Sequence, residues 1–169
     1  TISRNNAKRL KSWYNQLDAL LDLLLEQHDV EISIYENDSN DGTKQRLKRY
    51  EERLSKRCKT TLTTTDLGTD HLVGQEGARV KNIANARNAC MEQASDLKEF
   101  NKIVFIETDV LYNPKDAMKI IHYEADIVSG YTTNAMGQFY DAWATRKTSE
   151  EKWWDHGIPT ERMDVWSTF

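Results

Sequence analysis

The sequence predicts an α/β fold in which helices cover a mostly parallel sheet. Short β-branched runs alternate along the chain with longer segments whose apolar residues recur at helical spacing. One run, "KIVFIET" at residues 102–108, is apolar almost throughout before its acidic end, which is typical of a strand buried in a parallel sheet. The 169 residues suffice for one domain with a sizeable core. We expect residues 1–169 to form this single domain, trimmed at both ends.

Helices are predicted where leucine and aromatic residues recur every three or four positions. Asn5 and Asn6 precede the first helix and can cap it, and Pro114 lies in the first turn of the last one. The predicted helices cover residues 7–27, 43–56, 78–95 and 114–123. The predicted strands cover residues 30–35, 58–65, 102–108 and 126–131, and a glycine-containing loop covers 66–77. Residues from Thr132 onward show no clear pattern.

Composition excludes several classes of function. Lys and Arg number 23 against 27 Asp and Glu, and the net charge of −4 gives no electrostatic support for a nucleic-acid partner. No stretch approaches the roughly 20 apolar residues of a membrane span, and no signal-peptide core is visible. Cys58 and Cys90 have neither metal spacing nor disulfide density, so we expect reduced thiols. The four histidines show no metal spacing either, and we expect them to be structural or surface residues.

Two of the predicted strands end in acidic residues. Carboxyl ends of parallel strands meet at one edge of a sheet, which is where ligands bind. In "FIETDV", residues 105–110, alternation places Glu107 and Asp109 on the same side. Two carboxylates this close favour a hard divalent cation such as Mg²⁺ or Mn²⁺ between them, with free positions for phosphate oxygens. The alternatives are a solvated acidic turn and a helix N-terminus, where carboxylates are favourable.

The other acidic strand end is "ENDSNDGT", residues 36–43. An EF-hand loop would need a bidentate Glu where Lys48 stands, and a D-x-D-G-T phosphatase would need an Asp at Ser39. A nucleotide-binding turn fits best, in which Glu36 and Asp38 accept hydrogen bonds from the base or the ribose hydroxyls. A plain capped turn is the alternative.

Two further segments carry candidate binding residues. In the predicted helix "GARVKNIANARNACM", residues 77–91, Arg79 and Arg87 fall close to one face and could pair with a diphosphate or with the acidic strand ends. In "FYDAWATR", residues 139–146, aromatic side chains flank Asp141, as in many sugar-binding sites. The alternatives are ordinary surface charge for the arginines and a core aromatic cluster around Asp141.

Together these segments resemble a known family. "SIYENDSNDGT", "RVKNIANARNACM", "NKIVFIETDVLYNPKDAMKII" and "FYDAWATR" are similar, in order and spacing, to the capsule-associated mannosyltransferases of fungi and to glycosyltransferases encoded by large algal viruses. The resemblance extends from about Ser3 to Arg146. At 107–109 this chain has Glu-Thr-Asp, where these relatives more often show Asn-Asp.

The resemblance implies a GT-A fold, a Rossmann-like α/β/α sandwich that binds a nucleoside-diphosphate sugar through Mn²⁺ or Mg²⁺. It implies that Glu36 and Asp38 meet the nucleoside, that Arg79 and Arg87 face the diphosphate, and that Glu107 and Asp109 bind the metal. Asp141 would lie by the donor sugar or by a carbohydrate or glycoprotein acceptor, and it is the candidate base if the reaction inverts configuration. Asp109 assists catalysis through the metal.

Two rival functions and two compartments stay open. A sugar-phosphate nucleotidyltransferase would need a glycine-rich phosphate loop and a nearby Lys close to the start of the chain, and neither is visible here. A non-catalytic carbohydrate-binding module would use the tryptophans and need no metal. "NDS", residues 37–39, fits the N-glycosylation pattern inside the proposed nucleotide site. Because a glycan there would block the site, we expect a cytoplasmic enzyme, in the host cytosol if viral, with the Golgi lumen as the alternative.

Overall fold

The computed structural model describes residues 1–70, 77–130 and 132–133, and the backbone of 145–146 and 167–168. The chain divides into two compact units, Thr1–Glu124 and Ala125–Phe169. The first unit carries the sheet and all the described helices, in the order β1 (Ile2–Ser3), α1 (Ala7–Leu24), β2 (Glu31–Asn37), α2 (Thr43–Leu54), β3 (Lys59–Thr65), α3 (Gly77–Glu92), a 3₁₀ turn (Leu97–Glu99) and α4 (Pro114–Ile121). Whether residues 1–169 form a single domain stays a prediction.

The sheet is parallel and has three strands in the order β1-β2-β3. β2 is central: Ser3 of β1 and Thr64 of β3 flank its Glu36. Parallel strands need crossover connections, and α1 and α2 supply them. All three strands therefore end at the same edge of the sheet, as the sequence predicts.

The core lies between one face of the sheet and helices α1 and α2. Ile32 and Ile34 of β2 pack there, and Ile34 is fully buried. The helices contribute one apolar stripe each; its buried members include Leu10, Trp13, Leu17 and Leu21 of α1 and Leu47 and Leu54 of α2. The opposite face meets α3, where the Ser33 hydroxyl donates to the Cys90 carbonyl. Helices thus cover both faces, and the predicted α/β/α architecture is confirmed.

The apolar run at 102–108 is not a strand, contrary to the sequence-based prediction. No backbone hydrogen bond among the described residues joins it to β1. Ile103, Val104 and Phe105 are about half exposed, at 51%, 46% and 51%, whereas Ile106 packs against the core. The physical reason is the length of the neighbouring edge: β1 has only two residues and offers too few backbone partners for a longer strand. The strand predicted at 126–131 is also absent over residues 126–130, and Tyr131 lies outside the described residues.

Pro114 does open α4, as predicted, and the Asn113 side chain caps it by accepting from the Lys115 backbone N–H. In the second unit the described backbone forms an antiparallel pair, β4 (Thr145–Arg146) with β5 (Ser167–Thr168). Among the described residues, no helix has the length and apolar character needed to cross a membrane.

Candidate functional site

A cleft of about 760 Å³ opens at the carboxyl ends of β1 and β2. Its walls come from the turn after β1, the first turn of α1, the segment after β2, helix α3 and residues 107–109. The charged and amide side chains that line it are Arg4, Asn5, Asn6, Lys8, Arg9, Asn37, Asn40, Asp41, Asp70, Arg79, Asn82, Glu107 and Asp109. Cationic and anionic groups therefore face the same space. This is the edge at which open α/β sheets bind ligands.

The turn after β1 organises the cleft. Arg4 donates to the Thr69 carbonyl and hydroxyl and to the Asp70 carbonyl. Asn5, at a positive φ of 52°, accepts at its side-chain oxygen from the Asn40 N–H, at 3.0 Å. Asn6 donates from its side chain to the Thr108 hydroxyl at 2.6 Å. These three consecutive residues thus connect the loop after β3, the segment after β2 and Thr108.

Asp38 anchors the loop that follows β3. Its carboxylate accepts from the backbone N–H groups of Leu67, Gly68 and Thr69 and from the side chains of Thr69 and Asn37. Burial acts to raise the pKa of Asp38, but these hydrogen bonds outweigh it and hold the pKa well below its usual range. Asp38 also sits at a positive φ of 56°, which short polar side chains tolerate. Its oxygens are occupied by protein donors.

Glu36 lies beneath the site and does not line the cleft. Strand alternation puts it on the face of Ile34, towards α1 and α2, while Asn37 turns to the other face. Glu36 is fully buried, and one of its oxygens accepts from the Ser39 N–H at 2.8 Å. Its other oxygen has no partner among the described residues. Burial raises the pKa of Glu36, and the Ser39 hydrogen bonds act against this effect.

Asp41 joins the starts of two helices. One of its oxygens accepts from the Ala7 N–H at 3.0 Å, and the other accepts from the N–H and hydroxyl of Thr43, at 3.1 and 2.6 Å. Burial acts to raise the pKa of Asp41, and these bonds outweigh it, so the pKa is lowered. The first N–H groups of a helix lack partners within the helix, and a carboxylate is well placed to accept from them. Asp41 therefore fixes α1 against α2 at the cleft floor.

The two carboxylates of the Glu-Thr-Asp motif both line the cleft, and each pairs with an arginine. Glu107 pairs with Arg87 of α3, and Asp109 pairs with Arg9 of α1 at 3.4 Å. Between them Thr108 is buried and reaches the Ser3 hydroxyl at 3.4 Å. Within residues 1–70 and 77–130, no three His, Cys, Asp or Glu side chains converge as a ready-made metal site. Any cation here would take part of its shell from the ligand.

The structure brings some predicted residues together and separates others. Arg79, Glu107 and Asp109 line the cleft, and Arg87 reaches its rim through Glu107. Glu36 and Asp38 support its floor and its loop, while Asn37 is the residue of that strand end that faces the cavity. Asp141 lies outside the described residues. Sequence reasoning missed Arg4 to Arg9, although the polar string "SRNN" directly after a β-like start was a signal.

Comparison of the chain with known protein families identifies one family. The family model described as cryptococcal mannosyltransferase 1 matches residues 1–168 of the chain. No curated protein and no solved structure matches it. The resemblance to the fungal mannosyltransferases is thereby confirmed, while that to viral enzymes stays a prediction. The chain belongs to the cryptococcal mannosyltransferase family, and it is a glycosyltransferase.

Proposed function

We propose that this chain transfers a sugar from a nucleoside-diphosphate sugar to a carbohydrate acceptor, with the donor bound in the cleft at the carboxyl ends of β1 and β2. One observation carries the proposal: Arg79 of α3 faces the same cavity as Glu107 and Asp109. A diphosphate needs cationic partners, and a metal-bound diphosphate needs carboxylates as well. The cavity volume of about 760 Å³ falls within the range of small-molecule sites.

The nucleoside end of the donor has amide partners in this cleft. Asn5, Asn37 and Asn40 line it, and amides can both donate to and accept from base edges and ribose hydroxyls. In our proposal Asp38 acts on the donor indirectly, because its oxygens hold residues 67–69 in place. Glu36 supports the Asn37–Asn40 segment from below through its bond to Ser39.

A divalent cation fits the acidic side of the cleft. Asp109 and Glu107 are 48% and 35% exposed at their side chains, and among the described residues each is held only by an arginine. Their oxygens are the donors that Mg²⁺ and Mn²⁺ prefer. Such an ion would neutralise negative charge on the diphosphate leaving group. Arg9 and Arg87, released from these carboxylates, would then be free to bind phosphate oxygens.

The residues of the chain supply the rest of the chemistry. When the sugar leaves, negative charge develops on the diphosphate, and the Arg79 guanidinium stabilises that charge. The fixed position of the Arg4–Asn6 turn keeps the cationic first turn of α1, with Lys8 and Arg9, at the cleft. Asp141 is the candidate base for the acceptor hydroxyl if the reaction inverts configuration. The family's description supports a mannosyl donor.

The glycosylation pattern at Asn37 bears on the compartment. Asn37 lines the cleft, and its side-chain amide donates to Asp38 at 2.9 Å. A glycan on that nitrogen would occupy the proposed donor site, so we propose that the active form carries none. This supports the cytoplasm over the Golgi lumen.

The proposal is tested by donor binding. Thermal unfolding is followed with GDP-mannose, other GDP-sugars and UDP-sugars, each with Mn²⁺ or with EDTA. We expect one nucleotide class to raise the melting temperature with Mn²⁺ and much less with EDTA. Asp109→Asn should remove the metal-dependent part and lower transferase activity by about 100-fold or more, since it removes charge stabilisation from the transition state.

The matched control is Asp116→Asn. Asp116 is an exposed carboxylate of α4 that pairs only with Lys119 among the described residues, and it does not line the cleft. This variant should bind donor and metal as the parent protein does. A donor effect that is equally strong in EDTA and in the Asp109→Asn variant would contradict the metal assignment. No stabilisation by any nucleotide sugar would contradict the proposed donor class.

A further inference from the structure

Two histidines meet at the end of the first unit opposite the cleft. The Nε2 atoms of His28 and His122 lie 3.0 Å apart, and both side chains are exposed. His28 follows the C-terminal end of α1, and His122 is the first residue after α4. α1 spans 18 residues, so about 27 Å of helix separate this pair from the cleft at its first turn.

We propose that His28 and His122 form a binding site for a divalent transition-metal ion such as Zn²⁺, Ni²⁺ or Cu²⁺. At metal–nitrogen distances of about 2.0–2.1 Å, two imidazoles that share one ion place their nitrogens about 3 Å apart. The pair already has that separation. Imidazole suits these ions and not Mg²⁺ or Mn²⁺, and water would fill the remaining coordination positions.

The surroundings of the pair bear on the binding of a cation. The backbone N–H of His28 donates to the Leu24 carbonyl and that of His122 to the Met118 carbonyl, both at 2.9 Å. Each imidazole therefore stands at the negative end of a helix, where positive charge is favoured. Lys102 donates to the Ile121 and Tyr123 carbonyls, at 2.5 and 3.0 Å, and offsets part of this effect. With two protein ligands and this nearby ammonium, we expect an affinity in the micromolar range.

Only a small change separates the metal-free pair from a chelating one. The ring centroids are 5.2 Å apart and the planes are tilted by 59°, so the Nε2 atoms point nearly at each other, as an N–H···N hydrogen bond requires. Metal binding displaces that proton to solvent and tilts both rings until their lone pairs converge beside the N–N axis. Exposed side chains make such rotations freely.

Such an ion would fasten α4 to α1. The two helices are already joined near the segment before α4, where the Gln16 side chain donates to the Tyr112 carbonyl at 2.6 Å. The His28–His122 site would add a second tie at the other end of α4. This inference does not depend on the proposed donor.

The test uses the whole chain with thermal unfolding and Cu²⁺ spin-resonance spectra. Zn²⁺ at about a hundred times its Kd should raise the melting temperature by about 5 °C. His28→Ala and His122→Ala should each abolish this shift, and Cu²⁺ bound to the parent protein should show coupling to two imidazole nitrogens. Gln27→Ala, an exposed change next to His28, should keep both properties.

A separate variant tests whether Zn²⁺ acts through the cleft instead of the histidine pair. Asp109→Asn should retain the Zn²⁺ shift, because its carboxylate lines the cleft at the opposite end of the first unit. The proposal is overturned if the parent protein shows no shift with Zn²⁺, Ni²⁺ or Cu²⁺. It is also overturned if the shift survives in both histidine variants. Neither result bears on whether a nucleotide sugar binds the cleft.

Discussion

At the strand ends some side chains line the cleft, and others hold a neighbouring loop in place. Asp38 accepts five hydrogen bonds from the part of the chain that the structure describes, three of them from consecutive backbone N–H groups. A carboxylate that accepts several backbone N–H bonds is stabilised in its charged form. Asp38 therefore holds the backbone of Leu67 to Thr69 in place, and Arg4 adds hydrogen bonds to Thr69.

Asp38→Asn tests this role through pH. The pKa of Asp38 is lowered by folding, so the carboxylate contributes stability above the ordinary Asp pKa of about 3.9, and that contribution is lost as pH falls. Asn tolerates the positive φ but presents an amide N–H₂ group to N–H donors. We expect the variant to lose about 2 kcal/mol of unfolding free energy at pH 7, and the difference to shrink below about pH 4.

Denaturant unfolding from pH 7 to pH 3 measures the effect. Asp66→Asn serves as the control, because Asp66 is an exposed carboxylate one residue beyond Thr65, the last residue of β3 to pair with β2. A loss for Asp38→Asn that is the same at every pH would contradict the assignment of the effect to the charge.

For single residues, the sequence predicted that polar side chains gather at the carboxyl ends of the strands, but not which of these side chains face the cavity. Glu36 and Asn37 are neighbours, and one residue's difference in a strand sends their side chains to opposite faces. The composition of "ENDSNDGT" could not reveal that the Asp38 carboxylate accepts hydrogen bonds from a loop 30 residues away. Arg4 was overlooked because its partners, Thr69 and Asp70, are far along the chain.

Among the elements, the helices follow the sequence more closely than the strands. The predicted helix at 43–56 is observed at Thr43–Leu54, and that at 114–123 at Pro114–Ile121. Helix periodicity and caps are local signals, so they could be read directly. A strand also needs an edge to pair with, and the apolar run at 102–108 meets a β1 of only two residues. Pairing across the sheet could not be inferred from that run.

Two substitutions test this difference between elements. Leu47 of α2 is fully buried, so Leu47→Ala should cost about 2–5 kcal/mol of unfolding free energy. Phe105→Ala should cost less than about 1.5 kcal/mol, because 51% of that residue is exposed. Chemical denaturation compares the two, with Leu111→Ala, at 75% exposure, as a near-neutral reference. A loss of unfolding free energy above about 3 kcal/mol for Phe105→Ala would instead support the buried strand that the sequence predicts.

For the molecule as a whole, family membership and the cleft lead to the same function. The family is one of glycosyltransferases, and the cleft combines arginines with carboxylates at the ligand-binding edge of a parallel sheet. The sequence predicted the architecture and the edge, because alternating strands and helices leave few other arrangements. The donor sugar depends on the shape of the pocket, which residue types alone do not determine.

Hydrogen–deuterium exchange with and without the stabilising nucleotide sugar tests most directly whether the donor occupies this cleft. The account predicts that the donor and Mn²⁺ slow amide exchange in residues 2–9, 37–41 and 79–86 together, since these segments surround the cavity. Slower exchange confined to α2 and β3, with no change in those three segments, would contradict it.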